Sequence, residues 1–192
     1  MGQELLQELL TGVLCGASAG DQSGTAALAL ALLEREPGLL NSSWEGEVFK
    51  VGDCSVYTGD TVLIAASKAG DVALVKALLE RGADLHARNG LGGVALIYAA
   101  ANDRRDVAAL LLDSGADIGA ACKADETPLH YASRYGYLAT CKFLVLRGAS
   151  LEALDDLSQT PLQVYGYDAD PPLSEDQIAA GRAELLSAVA AP

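Results

Sequence analysis

A spacing of 33 residues runs through the middle of the chain and restricts its fold more than any other feature. Thr61-Val62-Leu63-Ile64 is followed 33 positions on by Val94-Ala95-Leu96-Ile97, then by Thr127-Pro128-Leu129-His130 and Thr160-Pro161-Leu162-Gln163. The unit ends keep the same phase, with Gly82-Ala83-Asp84, Gly115-Ala116-Asp117 and Gly148-Ala149-Ser150. Leu78-Leu79, Leu111-Leu112 and Leu144-Val145 lie between. A unit this short cannot bury its own apolar face, so neighbouring units must stack into a quasi-one-dimensional array.

Each recurring residue type has a local reason. Thr127 suits a helix N-cap, and Pro128 the first helical position, where a missing N–H costs little. Ala65-Ala66, Ala99-Ala100 and Ala132 are small enough for helices to approach closely. Gly70-Asp71 ends one helix and caps the next. The spacing predicts a second helix over about Val72 to Arg81, with Leu74, Val75, Leu78 and Leu79 on one face and Gly82 as a left-handed stop.

This pattern resembles the ankyrin repeat, over residues 53–165. The third unit, Asp125-Glu126-Thr127-Pro128-Leu129-His130-Tyr131-Ala132 through Gly148-Ala149, matches best. The first has Val62 and Ile64 for the motif's Pro and His, the second has lost Thr, Pro and His, and the fourth departs at Tyr165-Gly166. The resemblance implies an all-α solenoid of helix pairs joined by finger-like hairpin loops. It also implies protein binding, usually without catalysis.

Four segments are expected within one domain: a degenerate capping helix pair over 1–36, an inserted arm over 37–60, three repeats over 61–159, and a divergent C-terminal capping repeat over 160–192. Leu5, Leu6, Leu9, Leu10, Val13 and Leu14 form a helical stripe, and Ala19-Gly20-Asp21 mirrors Ala69-Gly70-Asp71. The rival for this segment is a detachable amphipathic helix that docks in a partner groove. The arm holds Trp44, Val48, Phe49, Val51, Val56 and Tyr57 with short extended segments, and its aromatics are expected to tuck back onto the solenoid rather than wait for a partner. Ser174-Glu175-Asp176-Gln177 reads as a capping box between staple residues Leu173 and Ile178. Ile178, Leu185, Leu186 and Val189 should share the packed face of a last helix, which Gly181 weakens by about 1 kcal/mol relative to Ala.

The formal charge of −13 is unevenly placed. Residues 1–49 carry −6, residues 150–192 carry −7, and residues 50–149 hold eleven acids and eleven bases. With the basic residues offset throughout, nucleic acid and anionic membranes are disfavoured as partners. No apolar run approaches the roughly 20 residues of a membrane span, and Met1-Gly2-Gln3-Glu4 lacks the basic flank of a signal peptide. Cys15, Cys54, Cys122 and Cys141 are widely spaced, so reduced thiols and a cytoplasmic or nuclear setting are expected.

No constellation for catalysis stands out. His130 occupies the motif position that holds the repeat's turn, and His86 stands where the family usually has an Asn that braces the finger and is hydroxylated in some members. Together with Cys54 and Cys122 the histidines match no compact metal spacing. Asn89-Gly90-Leu91-Gly92-Gly93 is glycine-rich without the Lys-Ser/Thr of a phosphate loop, which leaves it a finger tip. Asp155-Asp156 reads as a solvated finger. No cofactor, metal or small-molecule substrate is expected.

The family's concave face gives the candidate contacts. These are Tyr57, Thr58, Asp60 and Lys68 in the first unit, Leu91 and Asn102 in the second, Lys123, Glu126, Arg134, Tyr135 and Tyr137 in the third, and Asp156 and Leu157 in the fourth finger. Tyr and Arg often anchor interfaces, so Arg134-Tyr135-Gly136-Tyr137 is the favoured spot, extended by Tyr165 and Tyr167. Exchanging Arg134 and Tyr135 should weaken partner capture without loss of stability. A non-catalytic adaptor, inhibitor or regulatory subunit is the function expected. The alternatives are a permanent structural subunit of a large assembly and, more distantly, an unrecognised enzyme.

Overall fold

Thr61 opens the first regular helix pair by accepting a hydrogen bond from the Ile64 N–H at 3.3 Å, which satisfies one of the donors a helix start leaves unpaired. Helix α3 (Val62–Ala69) then ends at Gly70, whose φ of 83° only glycine adopts without strain. Asp71 immediately caps α4 (Val72–Glu80) through the Leu74 N–H at 2.9 Å. Two further helix pairs follow, α5 (Ala95–Ala101) with α6 (Arg105–Asp113), and α7 (Pro128–Arg134) with α8 (Leu138–Leu146), and of these four α7 alone starts on a side-chain cap, from Thr127. Where the second unit has Val94 for threonine, α5 starts without a side-chain cap.

The computed structural model describes residues 2–19, 22–51 and 54–190. Ahead of the repeats lie α1 (Gly2–Ala19) and α2 (Gln22–Arg35), followed by an arm with β1 (Phe49–Val51) and β2 (Cys54–Val56). The two strands are antiparallel, Phe49 opposite Val56 and Val51 opposite Cys54. Gly20 and Asp21 lie outside the described residues, as do the side chains of Cys15, Phe49, Val51 and Cys54.

Helices α1, α3, α5 and α7 pack on one another in that order, and α2, α4 and α6 make a second row. The contact is close because Ala65, Ala66, Ala99, Ala100 and Ala132 bring little more than backbone to it, and all are fully buried. Leu63, Ile64, Leu96, Ile97 and Leu129 fill the first row, with Leu74, Leu78 and Leu111 facing them from the second and Leu144 from α8. The α1 stripe joins the same core: Leu6, Leu9, Leu10, Val13 and Leu14 are buried, and Leu5 is half-buried.

Trp44 folds the arm back. Its N–H donates to the Asp60 carbonyl at 2.8 Å, its carbonyl accepts from the Gly59 N–H, and its indole N–H reaches the Glu47 carbonyl at 3.0 Å. Val56 is buried beside it, whereas Val48 points to solvent.

The fourth unit departs from the helical plan. Thr160 and Gln163 exchange side-chain to backbone hydrogen bonds of 2.8 and 3.4 Å. Residues 161–168 then form successive turns, because Gly166 takes a left-handed φ of 77°. Gly166 and Asp168 donate their N–H groups to the Ser133 and Arg134 carbonyls, so these turns cover the end of α7.

The last helix, α9 (Glu175–Ala190), packs on α8. Ser174 and Gln177 make the reciprocal capping bonds at 2.8 and 3.2 Å. Its packed face differs from the expected one. Ile178, Leu185 and Ala188 pack inward around buried Gly181, while Leu186 and Val189 are 55% and 60% exposed. The cause is Tyr165, which is buried rather than part of a surface patch. Its ring occupies the space of a side chain at 181, within 2.5 Å of where a Cβ would sit. Gly181 is therefore a packing site, and its expected sign reverses. Gly181→Ala should lower the unfolding free energy by about 1–3 kcal/mol through overpacking, where helix propensity alone gives a gain of about 1 kcal/mol. Urea denaturation checks this, and a more stable variant would show that propensity wins.

Candidate functional site

Each finger tip holds one buried side chain, at positions 33 apart: Asn89, Cys122 and Asp155. Asn89 Oδ1 accepts the N–H groups of Leu91 and Gly93, both at 3.0 Å. Asp155 Oδ1 accepts those of Leu157 and Gln159 at 3.0 and 2.8 Å. Asp155 is thus a buried turn brace and not a solvated acid, because its carboxylate is surrounded by its own loop's amides. Its neighbour Asp156 is exposed, as expected.

The candidate face follows the tips and the adjoining ends of α3, α5 and α7. Thr58, Leu91, Lys123, Asp156 and Leu157 are exposed on it, with Leu91 at 46% and Leu157 at 71%. Tyr57, Asn102, Arg134, Tyr135 and Tyr137 are half-buried, and the Tyr135 and Tyr137 rings stack at 5.8 Å.

Three candidates are not on the surface. Asp60 and Lys68 are buried and paired with each other. Asp60 also accepts the Tyr57 N–H and the Asn89 side-chain amide, each at 2.8 Å. Lys68 Nζ donates to the Ser55 carbonyl at 2.8 Å and lies over the rings of Tyr57 and Tyr98, 4.8 and 4.3 Å from their centroids. Glu126 is buried against Arg134, which also reaches Asp168 at 3.7 Å. A charge enters an interior only with partners of this kind. Exchanging Arg134 would therefore leave Glu126 unmatched, so the expectation that stability is untouched does not hold.

Beside the Asp60–Lys68 pair lies a hollow of about 180 Å³ that Ser55, Lys68, Leu91, Ala101, Asn102 and four tyrosines (57, 98, 131, 135) line. Burial raises the phenol pKa of Tyr98, Tyr131 and Tyr135 above its ordinary value, so these walls are neutral hydroxyls at pH 7.

His130 is fully buried. Its Nδ1 accepts the Thr127 N–H at 3.2 Å, which leaves Nε2 to donate to the Gln159 carbonyl at 3.1 Å and join the third unit to the fourth finger. His86 is exposed at the second finger's base. Among the described residues, Cys122 and Cys141 are free thiols, and no group of three metal-capable side chains comes together. Burial pushes the Cys141 thiol from 9.0 up to about 12. A thiol with its pKa raised in the folded state contributes stability that is complete below pH 9 and lost as pH rises through 12. Cys141 should accordingly resist a maleimide at pH 7.5 until urea unfolds the chain. Rapid labelling of the native protein at that position would contradict the packing described.

At the far end, Leu151, Leu162, Leu186 and Val189 line an apolar groove of about 640 Å³. Periodicity places Leu186 and Val189 on the packed face, and the Tyr165–Gly181 contact turns them outward.

Comparison with known proteins returns the family described as ankyrin repeats (3 copies), matched over residues 2–122 and 63–155. The B-cell lymphoma 3 protein homolog of Mus musculus is 37% identical over 161 residues, covering 79% of this chain and 35% of its own. A putative ankyrin repeat protein of Rickettsia bellii is 36% identical over 115 residues, 57% of this chain and 64% of its own. A putative E3 ubiquitin-protein ligase of Arabidopsis thaliana is 37% identical over 118 residues, 59% of this chain and 31% of its own. The chain thus spans between about a third and two thirds of the length of these relatives.

Proposed function

The chain belongs to the ankyrin-repeat family, whose repeats are protein–protein interaction modules, and from that premise we propose that it is a non-catalytic adaptor or regulatory subunit holding its partner across the finger face. The observation that carries this reading is the row at the tips. Thr58, Leu91, Ala124 and Leu157 stand 33 positions apart, and two of the four are large exposed leucines. Leucine at the tip of a polar loop adds nothing to the fold, and desolvating such anchors is what a protein partner does. The ligase and lymphoma-protein names belong to chains longer than this one.

The test exchanges Leu91 and Leu157 for serine together. Both are exposed, so the melting temperature should stay within about 2 °C. Partner capture should fall at least about tenfold, the loss typical of two anchors. Crosslinks from captured partner should favour Lys123 over Lys76, which is exposed on α4. Unchanged capture, or crosslinks concentrated at Lys76, would remove the finger face from consideration.

A second reading rests on the apolar groove at Leu162, Leu186 and Val189, which suits a subunit built permanently into an assembly. In native extract such a subunit elutes large, whereas a free adaptor elutes small. We propose a reducing, intracellular setting for either, supported by the free thiols of Cys122 and Cys141 and checked by cell fractionation.

A further inference from the structure

Aligning the units by their 33-residue spacing shows what the hollow is. Asp60 and Lys68 of the first unit correspond to Glu126 and Arg134 of the third, and both pairs form an ion pair between the finger and the end of the first helix. In the second unit the same two positions are Gly93 and Ala101. Acid and base are both missing there, and Tyr98 has moved into the space. A Cβ at 93 would lie 2.8 Å from the Tyr98 ring. Tyr98 takes the acid's place, and the hollow opens beside Ala101, at the place of the missing base.

Its chemistry selects an occupant. Lys68, the one cation in its lining, is already matched by Asp60, and neighbouring Arg134 by Glu126 and Asp168, so no unmatched cation is offered to an anionic ligand. The face of Tyr57 and Tyr98 that attracts cations already holds the Lys68 ammonium. The walls are tyrosine rings, which favour offset or edge contacts with another ring. A volume of about 180 Å³ exceeds the roughly 150 Å³ cavity known to admit benzene.

We propose that this hollow is a specificity pocket that receives one neutral aromatic side chain from an extended segment of the partner. The proposal rests on the finger-face reading above and names the chemistry recognised there. The absent pair at Gly93 and Ala101 has a role: it opens one socket in an otherwise charge-matched row.

The probes are N-acetyl amides of phenylalanine, tyrosine and tryptophan, with those of leucine and arginine as controls, titrated to about 10 mM into the full chain and followed by amide chemical shifts. Saturable shifts at Leu91, Ala101 and Asn102 with the aromatic amides, absent with leucine and arginine, are expected. Ala101→Leu fills the hollow and should abolish them. If that variant fails to fold, Tyr135→Ala removes one wall and should weaken them by about tenfold, the upper range for an aromatic pair. Equal response to all five amides, no response to any, or full response in both variants would overturn the pocket. If the aromatic amides fail while the Leu91/Leu157 serine variant still loses its partner, the pocket is wrong and the finger-face reading stands. If the amides bind while that variant keeps its partner, the pocket stands and the wider reading falls.

Discussion

Lys68→Met should lower the unfolding free energy by about 3–5 kcal/mol, the cost of leaving a buried charge without its partner. The substitution keeps most of the apolar stem but removes the ammonium that faces Asp60, the Ser55 carbonyl and two tyrosine rings. Asp60 would keep only the Tyr57 N–H and the Asn89 amide. In a chain of this length each kcal/mol moves the melting temperature by about 2–4 °C. The midpoint should therefore fall by roughly 6–20 °C. Removing the charge as well, with Asp60→Asn in the same chain, should recover a large part of the loss, since a buried pair replaced as a unit is tolerated far better than one broken. A single variant as mild as a surface exchange, under about 0.5 kcal/mol, would mean that water reaches this pair.

His130→Ala should act on a different part of the molecule. It deletes a fully buried ring, one half of the α7 capping box, and the bond from Nε2 to the Gln159 carbonyl. Cavity and lost hydrogen bonds together come to about 2–4 kcal/mol. Stacked units hold mainly to their neighbours, so the loss should be local. Amides over 160–190 should gain hydrogen exchange before those of α3 and α5, and denaturation should lose its single sharp transition. Uniform exchange along the whole array would show that the solenoid unfolds as one body.

What could be read from the sequence was the part that local chemistry dictates. Thr61, Gly70-Asp71 and Thr127-Pro128 cap helices by contacts within four residues, and the structure has those caps. The alanine and leucine positions of the repeats needed only periodicity. The site was less legible. Asp60, Lys68 and Glu126 occupy positions that usually vary and face outward, and each is buried by a partner that a finger folding back over eight residues supplies. The signal that could have found them is an acid and a base at the same two repeat positions in units one and three. Likewise, the helical stripe of α9 held Ile178, Leu185, Leu186 and Val189 together, but the rotation of that helix is fixed by Tyr165 against Gly181, a contact between separate segments.

The three tip braces also set how stiff each finger is before a partner arrives. Asn89 and Asp155 each hold two loop amides by a side-chain oxygen, so the tips carrying Leu91 and Leu157 are rigid in advance. Cys122 stands at the equivalent place between them, and a thiol is a weak acceptor. The middle tip, with Lys123, is tied instead to its neighbours through the backbone, the Lys123 N–H donating to the Leu91 carbonyl and the Ala124 carbonyl accepting from the Asp156 N–H. A ligand gripping the outer two meets little ordering entropy there, and the central tip moves only together with them.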